Sequence, residues 1–341
     1  MTTIRKAKNE NKIEMPSSAY ELHTYSGFEP SQVFDVVYGG HFEHRLLSAK
    51  RSTMEHQRLV LDDVRIETGR YDFPVVAQGV MPRDSVCIGF LAEGADVTRC
   101  NIESFDEEDV QVYSPGVELM YHSSGASRWV NFTAPEAALQ EAAQARMGRP
   151  LNLSMRGMVS FRLPAGGRAQ LRQLVYDAFG LARALHPASV APVLAREMSR
   201  ALISAYVDAL GTAEMVARTG KPSTARRHYH LILACERLVM NAGLAKIDLA
   251  ALAHRSGYTM RSLELIFRNG VGMTPGRWFM NIRLNGALRE LISPAADTSI
   301  TEVATRWGFR HLSRFADQYR RAFGELPSQT LARAVESPKP R

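Results

Sequence analysis

Two hydrophobic rhythms divide the chain. Between about residues 32 and 132, apolar side chains come in short, partly alternating runs that end at Gly, Pro or Asp. Segment 60–67 alternates in part and ends at Thr68-Gly69. Segment 86–91 is a compact apolar run closed by Glu93-Gly94, segment 110–113 runs into Ser114-Pro115-Gly116, and segment 129–132 follows. Runs of this length and spacing predict an antiparallel barrel or sandwich, a form that commonly holds a pocket at its mouth. After Pro135 the period lengthens. Segment 135–147 is rich in Ala, Glu and Gln and begins with Pro, which suits a first helical turn. Segment 168–185 places Leu171, Leu174, Val175, Ala178, Leu181, Ala182 and Leu185 at three- and four-residue steps; segment 191–210 repeats this with Leu194, Met198, Leu202, Ile203, Tyr206 and Leu210. Such stripes need a partner surface, either the chain's own β domain or a second copy.

At the two ends the pattern fades. Residues 1–28 are polar and poorly patterned and predict a frayed tail, and residues 335–341 predict another. Residues 211–224, with Gly220, Lys221 and Pro222, read as a linker between two domains, 29–210 and 225–334.

Within the second domain one pattern is written twice, at 248–275 and 299–327. The offset is 51 between Ala253 and Ala304 and between Gly257 and Gly308, and 52 between Arg268 and Arg320, Gly272 and Gly324, and Pro275 and Pro327. The second copy therefore carries one extra residue after its turn glycine. Each copy reads as a short helix, a glycine turn and a second amphipathic helix, the outline of a helix-turn-helix. Leu252, Ala253, Leu263, Ile266 and Phe267 predict the small core of the first copy; Val303, Ala304, Trp307, Phe309, Phe315, Tyr319 and Phe323 predict that of the second. Between them, Phe279, Ile282, Leu284, Leu288 and Leu291 predict one long connecting helix stopped by Ser293-Pro294. Gly286 inside it costs about 1 kcal/mol relative to Ala unless close packing requires it.

Charge separates the same two halves. The formal balance is +7, but from Lys221 onward there are 19 Lys+Arg against 9 Asp+Glu, leaving 23 against 26 before it. A basic domain joined to a near-neutral one points to a polyanion met only by the C-terminal half. Cys87, Cys100 and Cys235 are too far apart for a CxxC pair, which fits buried thiols in a reducing cytosol. No run of about 18 apolar residues predicts a membrane span, and residues 1–11 lack the apolar segment of a signal peptide.

The exposed face of each second helix carries the candidate chemistry. In copy one, Arg261, Glu264 and Leu265 lie opposite the core and are candidates for base contacts: Arg can grip guanine through two acceptors, and Glu can accept from cytosine. In copy two the matching candidates are His311, Leu312, Ser313 and Asp317. Thr259, Arg268, Asn269, Arg310, Arg314, Arg320 and Arg321 lie nearer the helix ends or along their flanks and suit phosphate oxygens, which position without specifying. Copy one is therefore expected to carry more base readout and copy two more positioning. Two modules on one connecting helix would reach segments of duplex about 10 bp apart.

The C-terminal segment resembles the AraC/XylS family of bacterial transcription regulators. The likeness covers 225–334. It rests above all on Ile300-Thr301-Glu302-Val303-Ala304, Trp307-Gly308-Phe309, Ser313-Arg314-Phe315, Tyr319-Arg320-Arg321-Ala322-Phe323-Gly324 and Pro327-Ser328, with Arg283-Leu284 and Ala287 in the connecting helix. The resemblance implies an α+β chain: an N-terminal antiparallel, cupin-like effector domain with dimerisation helices, then an all-α domain with two helix-turn-helix motifs. It also implies promoter DNA as partner, activation through RNA polymerase, a small-molecule effector, a homodimer through 168–210 and a bacterial cytoplasmic setting. It carries over no effector-binding residues and implies no cofactor.

Two other readings compete. A regulator controlled by a protein partner at 168–210 would need no small ligand. An enzyme with an appended DNA-binding module would want a metal or an activated thiol, but the cysteines are unclustered, and His41, His44 and His56 read more simply as surface or core histidines.

Overall fold

The computed structural model describes residues 18–48, 52–153, 157–216, 222–241 and 248–336. Its N-terminal half is built from β1 (Ser18–Ser26), β2 (His41–Leu46), β3 (Thr53–Leu61), β4 (Val64–Tyr71), β5 (Val75–Val80), β6 (Val86–Glu93), β7 (Thr98–Cys100), β8 (Glu103–Ser104), β9 (Asp109–Tyr113), β10 (Glu118–Ser123) and β11 (Ser127–Ala134). Then come α1 (Glu136–Met147), β12 (Met158–Arg162), α2 (Gly167–Leu185), α3 (Pro192–Thr212) and β13 (Glu214–Met215). The strands form two antiparallel sheets, ordered β1-β3-β4-β11-β6-β9-β12-β13 and β2-β5-β10-β7-β8.

Alternation decides what each sheet face meets. On β11, Val130 and Phe132 point outward into a core shared with α1, α2 and α3, where Phe132 stacks on Tyr206 at 4.1 Å. Trp129 and Asn131 point the other way, into a hollow between the two sheets. The larger sheet is thus buried on both faces, and its strands read as apolar runs more than as clean alternation.

Several expectations need correction. Residues 18–26 are not part of a tail: β1 pairs along its whole length with β3, from Ser18↔Leu61 to Ser26↔Thr53. Its polar side chains belong to the outer strand of the sheet, a position that tolerates them. Residues 60–67 are not one strand. The chain reverses at Asp62-Asp63, with Asp62 at φ 53, and pairs Leu61 with Val64; Asp tolerates this left-handed turn position as few residues do. The linker region is partly absorbed by its neighbours. Gly211 and Thr212 complete α3, Glu214–Met215 pair with β12, and α4 (Pro222–Asn241) starts before 225. Gly211 packs so close to Met147 that a Cβ there would lie 2.2 Å from its sulfur. Residues 335 and 336 complete the last helix, while 1–17 and 337–341 lie outside the described residues.

The apolar stripes of α2 and α3 are largely spent on their own sheet. Leu171, Val175, Phe179, Leu202, Tyr206 and Val207 are buried there, leaving Leu181, Leu185 and Val193 exposed. The three candidate metal-binding histidines do not converge. His44 bonds to Val33 O at 2.8 Å and to the Tyr71 hydroxyl at 2.9 Å, and His56 to Val36 O at 3.0 Å. His41 is exposed and stacked on Phe34. All three cysteines are buried and free.

The C-terminal half comprises α4, α5 (Leu249–Arg255), α6 (Met260–Val271), α7 (Pro275–Ile292), α8 (Ile300–Arg306), α9 (Leu312–Phe323) and α10 (Pro327–Glu336). It sits on the outer face of the smaller sheet, where Val76 and Met120 join the core of α4, α6 and α7. The seam also has a polar centre. Buried Glu236 on α4 accepts the Trp278 indole N–H at 2.5 Å and pairs with Arg45 of β2 at 3.2 Å, and the Arg45 guanidinium lies 4.8 Å from the Trp278 ring centre. Arg289 on α7 meets Glu43 at 2.8 Å.

Candidate nucleic-acid interface

Each helix-turn-helix is assembled by local signals. Asp248 caps α5, accepting from Ala250 N at 2.9 Å and Ala251 N at 3.2 Å; Gly257 then turns the chain at φ 75, and the Thr259 hydroxyl caps α6 by accepting from Ser262 N at 3.1 Å. In the second module Ser299 caps α8 and Gly308 turns at φ 76. Helix α9, however, starts after five intervening residues instead of four, with His311 at the cap position and no side-chain bond from it. The extra residue after the second glycine thus lengthens the turn, not the helix.

Leu263, Phe267, Phe315 and Tyr319 are fully buried, as are Ala253 and Ala304, where the paired helices meet. The opposite faces are open. Arg261, Leu265 and Arg268 form an exposed stripe at four- and three-residue steps on α6, with Asn269 beside it and Glu264 half-buried at its edge. On α9, Leu312, Ser313, Arg314, Asp317, Arg320 and Arg321 are exposed, as are Arg310 and His311 before it. Asp317 approaches Arg320 at 3.7 Å, which mutes both charges on that helix. Thr259 is also exposed, but its hydroxyl is engaged as the cap and with Ser262 Oγ at 2.9 Å. Leu265 is 57% and Leu312 45% exposed, unusual for leucine on an otherwise polar face. Apolar contacts of this kind suit a thymine methyl.

The two open faces are carried on one helix, α7. A Cβ on Gly286 would lie 2.1 Å from the Trp307 ring, so close packing is why glycine stands mid-helix there. Glu290 fixes the same contact from the side, accepting Trp307 Nε1–H at 2.9 Å and Arg306 Nη1–H at 2.6 Å. Helix α10 closes the second module through Glu325, which accepts two bonds from Arg333 at 2.7 Å each.

Comparison with known proteins bears on this half of the chain. A family model described as a helix-turn-helix domain matches residues 252–333. The XylDLEGF operon transcriptional activator of Pseudomonas putida is 45% identical over 86 residues, 25% of this chain and 27% of that protein. The chain carries an AraC/XylS-family DNA-binding domain. A further relative of this AraC/XylS segment is the probable thc operon regulatory protein of Rhodococcus erythropolis, 35% identical over 151 residues, 44% of this chain and 43% of that one. These matches span less than half of either relative's length. Among solved structures, a probable AraC family transcriptional regulator from Rhodopseudomonas palustris CGA009 is 30% identical, with a TM-score of 0.29 over 31% of this chain and 97% of that one.

The sequence reading missed the seam that seats the AraC/XylS domain on the smaller sheet. Asn285, set between Leu284 and Gly286 on the buried side of α7, was the available signal, because a buried amide needs partners.

Proposed function

We propose that the protein is a sequence-specific DNA-binding transcription regulator, an activator, whose N-terminal β domain controls the C-terminal reader. The observation that carries this reading is the pair of open helix faces, α6 and α9, held on the single connecting helix α7. Arg261, Glu264 and Leu265 contact bases from the first module, and His311, Leu312, Ser313 and Asp317 from the second. Thr259, Arg268, Asn269, Arg310, Arg314, Arg320 and Arg321 serve the phosphates. RNA polymerase is the partner in activation and a small molecule the effector. A second copy joins at the exposed edge of α2 and α3, where Leu181, Leu185 and Val193 stay uncovered. Among the described residues no helix is long and apolar enough to cross a membrane.

Footprinting on DNA upstream of the protein's own and neighbouring genes tests the reading. Two protected segments about 10 bp apart on one face of the duplex are expected, with affinity falling steeply as salt rises. Absence of any salt-sensitive protected site would overturn it.

A further inference from the structure

The hollow between the two sheets has a floor built for recognition. Gly89 of β6 lies in register with Asn131 of β11 on one side and with Gln111 of β9 on the other, so two carboxamides flank a glycine across three strands. A Cβ on Gly89 would lie 2.4 Å from Asn131 Oδ1 and 3.0 Å from the Tyr113 ring. Glycine thus lets the Asn131 amide lie over the strand at the centre of the floor. Gln111 is 1% exposed, lines the hollow, and its Nε2 has no hydrogen-bond partner. A buried amide donor without an acceptor is costly in a folded protein unless something else supplies one.

The walls restrict what that something is. Phe42, Tyr71, Phe105, Tyr113, Tyr121 and Trp129 provide aromatic surface, and among the described residues no Asp, Glu, Lys, Arg or His lines the space. Two of the wall hydroxyls are already engaged, Tyr71 with His44 at 2.9 Å and Tyr121 with Ser127 at 2.7 Å. His44, directly behind Tyr71, is held neutral because burial pushes its pKa down to about 4, and the nearest buried charges in the Asn131 row, Glu67 and Arg58, are paired with each other. A carboxylate or ammonium placed here would lose its hydration and gain no counter-charge, whereas a neutral ring would lose little. The cavity volume is about 40 Å³, and the wider empty space of about 450 Å³ includes open solvent, so the enclosed room is that of a small molecule and not of a nucleotide or an oligosaccharide.

We propose that this hollow is a binding site for an uncharged, mainly apolar small molecule bearing an acceptor oxygen, such as an aryl ketone or amide, with its oxygen on Gln111 Nε2–H. The proposal rests on the reading of the N-terminal domain as the controlling half, and it names the chemical class of that control. One face of β2 reaches the hollow through Phe42, while Glu43 and Arg45 on its other face hold α7 and α4. An occupant of the hollow therefore lies one strand away from the DNA-binding half.

Four probes of similar size separate charge from hydrogen bonding: acetophenone, ethylbenzene, benzoate and benzylammonium. Binding to the full chain is read by thermal shift and by ligand-observed NMR. Acetophenone is expected to bind, ethylbenzene to bind more weakly, and the two ions not to bind. Gln111→Leu should weaken acetophenone about five-fold, the equivalent of one net hydrogen bond, and leave ethylbenzene unchanged. Ala77→Phe, which fills the hollow, should abolish both. Preference for either ion, no binding by any probe, or acetophenone binding indifferent to both substitutions would overturn the proposal. Footprinting on the same preparations keeps the two readings apart: a protein that protects DNA but takes none of the probes fails here alone.

Discussion

Asn285 completes the strand that ends at Leu46. The Leu46 N–H donates to Asn285 Oδ1 at 2.7 Å, and Asn285 Nδ2 donates back to Leu46 O at 3.0 Å. Strand β2 is the edge of the smaller sheet, and an edge carries backbone groups that want partners. A side-chain amide has the donor and acceptor of a peptide group, so a helix of the DNA-binding half supplies what a further strand would otherwise provide. Neither residue keeps any exposed surface to speak of, at 1% for Leu46 and 0% for Asn285.

Replacing Asn285 by Leu keeps the volume and removes both bonds. Each buried backbone group left unsatisfied costs about 1–3 kcal/mol, so chemical denaturation should show a loss of this order or more. Asn285→Asp keeps an acceptor for the Leu46 N–H but sets a buried carboxylate against Leu46 O and Asn281 O, so near neutral pH it should lose at least as much. Equal stability of wild type and Asn285→Leu would remove the amide from the seam's energetics.

Gly286→Ala opposes two effects of known sign. Helix propensity favours alanine by about 1 kcal/mol, but the new Cβ would meet the Trp307 ring at 2.1 Å. Overpacking of this kind costs about 1–3 kcal/mol or more. The melting temperature should therefore fall, and Trp307→Leu in the same chain should restore part of it. A rise in melting temperature would mean that the second module sits differently on α7.

The two arginine classes separate by sequence and salt. Arg261→Ala should relax specificity at one or two base pairs at a cost of about 1–3 kcal/mol. Arg321→Ala should weaken all sequences alike and reduce the salt slope by about 1. Competition gel-shifts with single-base variants of a footprinted site, at several salt concentrations, distinguish the two.

Acid should destabilise the fold through histidines that must stay neutral. Burial lowers His44 to about 4 and His56 to about 3; His122 falls to about 4 through burial, with Arg99 and Arg45 adding to it. An unfolded histidine titrates near 6.5. Because the folded values are depressed, this stabilisation is complete above about pH 6.5 and is lost as pH falls towards 4. Each contributes a slope of up to about 1.4 kcal/mol per pH unit in that window. His122 faces Trp278 across the seam, with ring centres 6.3 Å apart. His122→Gln should therefore flatten the dependence of stability on pH between 6.5 and 4; an unchanged slope would exclude it as a contributor.

Much of the DNA-binding half was legible because its signals are local. The turn glycines 257 and 308 and the apolar steps along α6 and α9 each act within a few residues. Position along one helix is enough to divide Arg261 from Phe267. The strands were legible as a class but not one by one: Asp62-Asp63 reads equally well as a polar interruption of a strand and as a hairpin turn, and only the pairing of β3 with β4 chooses.

Other features depend on residues far apart in sequence. Leu46 and Asn285 are 239 residues apart, and Arg45 and Glu236 are 191 apart. The Gln111–Gly89–Asn131 row exists only because β6 lies between β9 and β11. Sequence pattern by itself determined the helices and which of their faces stay wet, since the periodicity of one element encodes both, and it marked the β class without its individual strands. Tertiary structure alone decided which sheet edge meets which helix and where a hollow remains. Those outcomes follow from strand order and packing, which no single segment's periodicity contains.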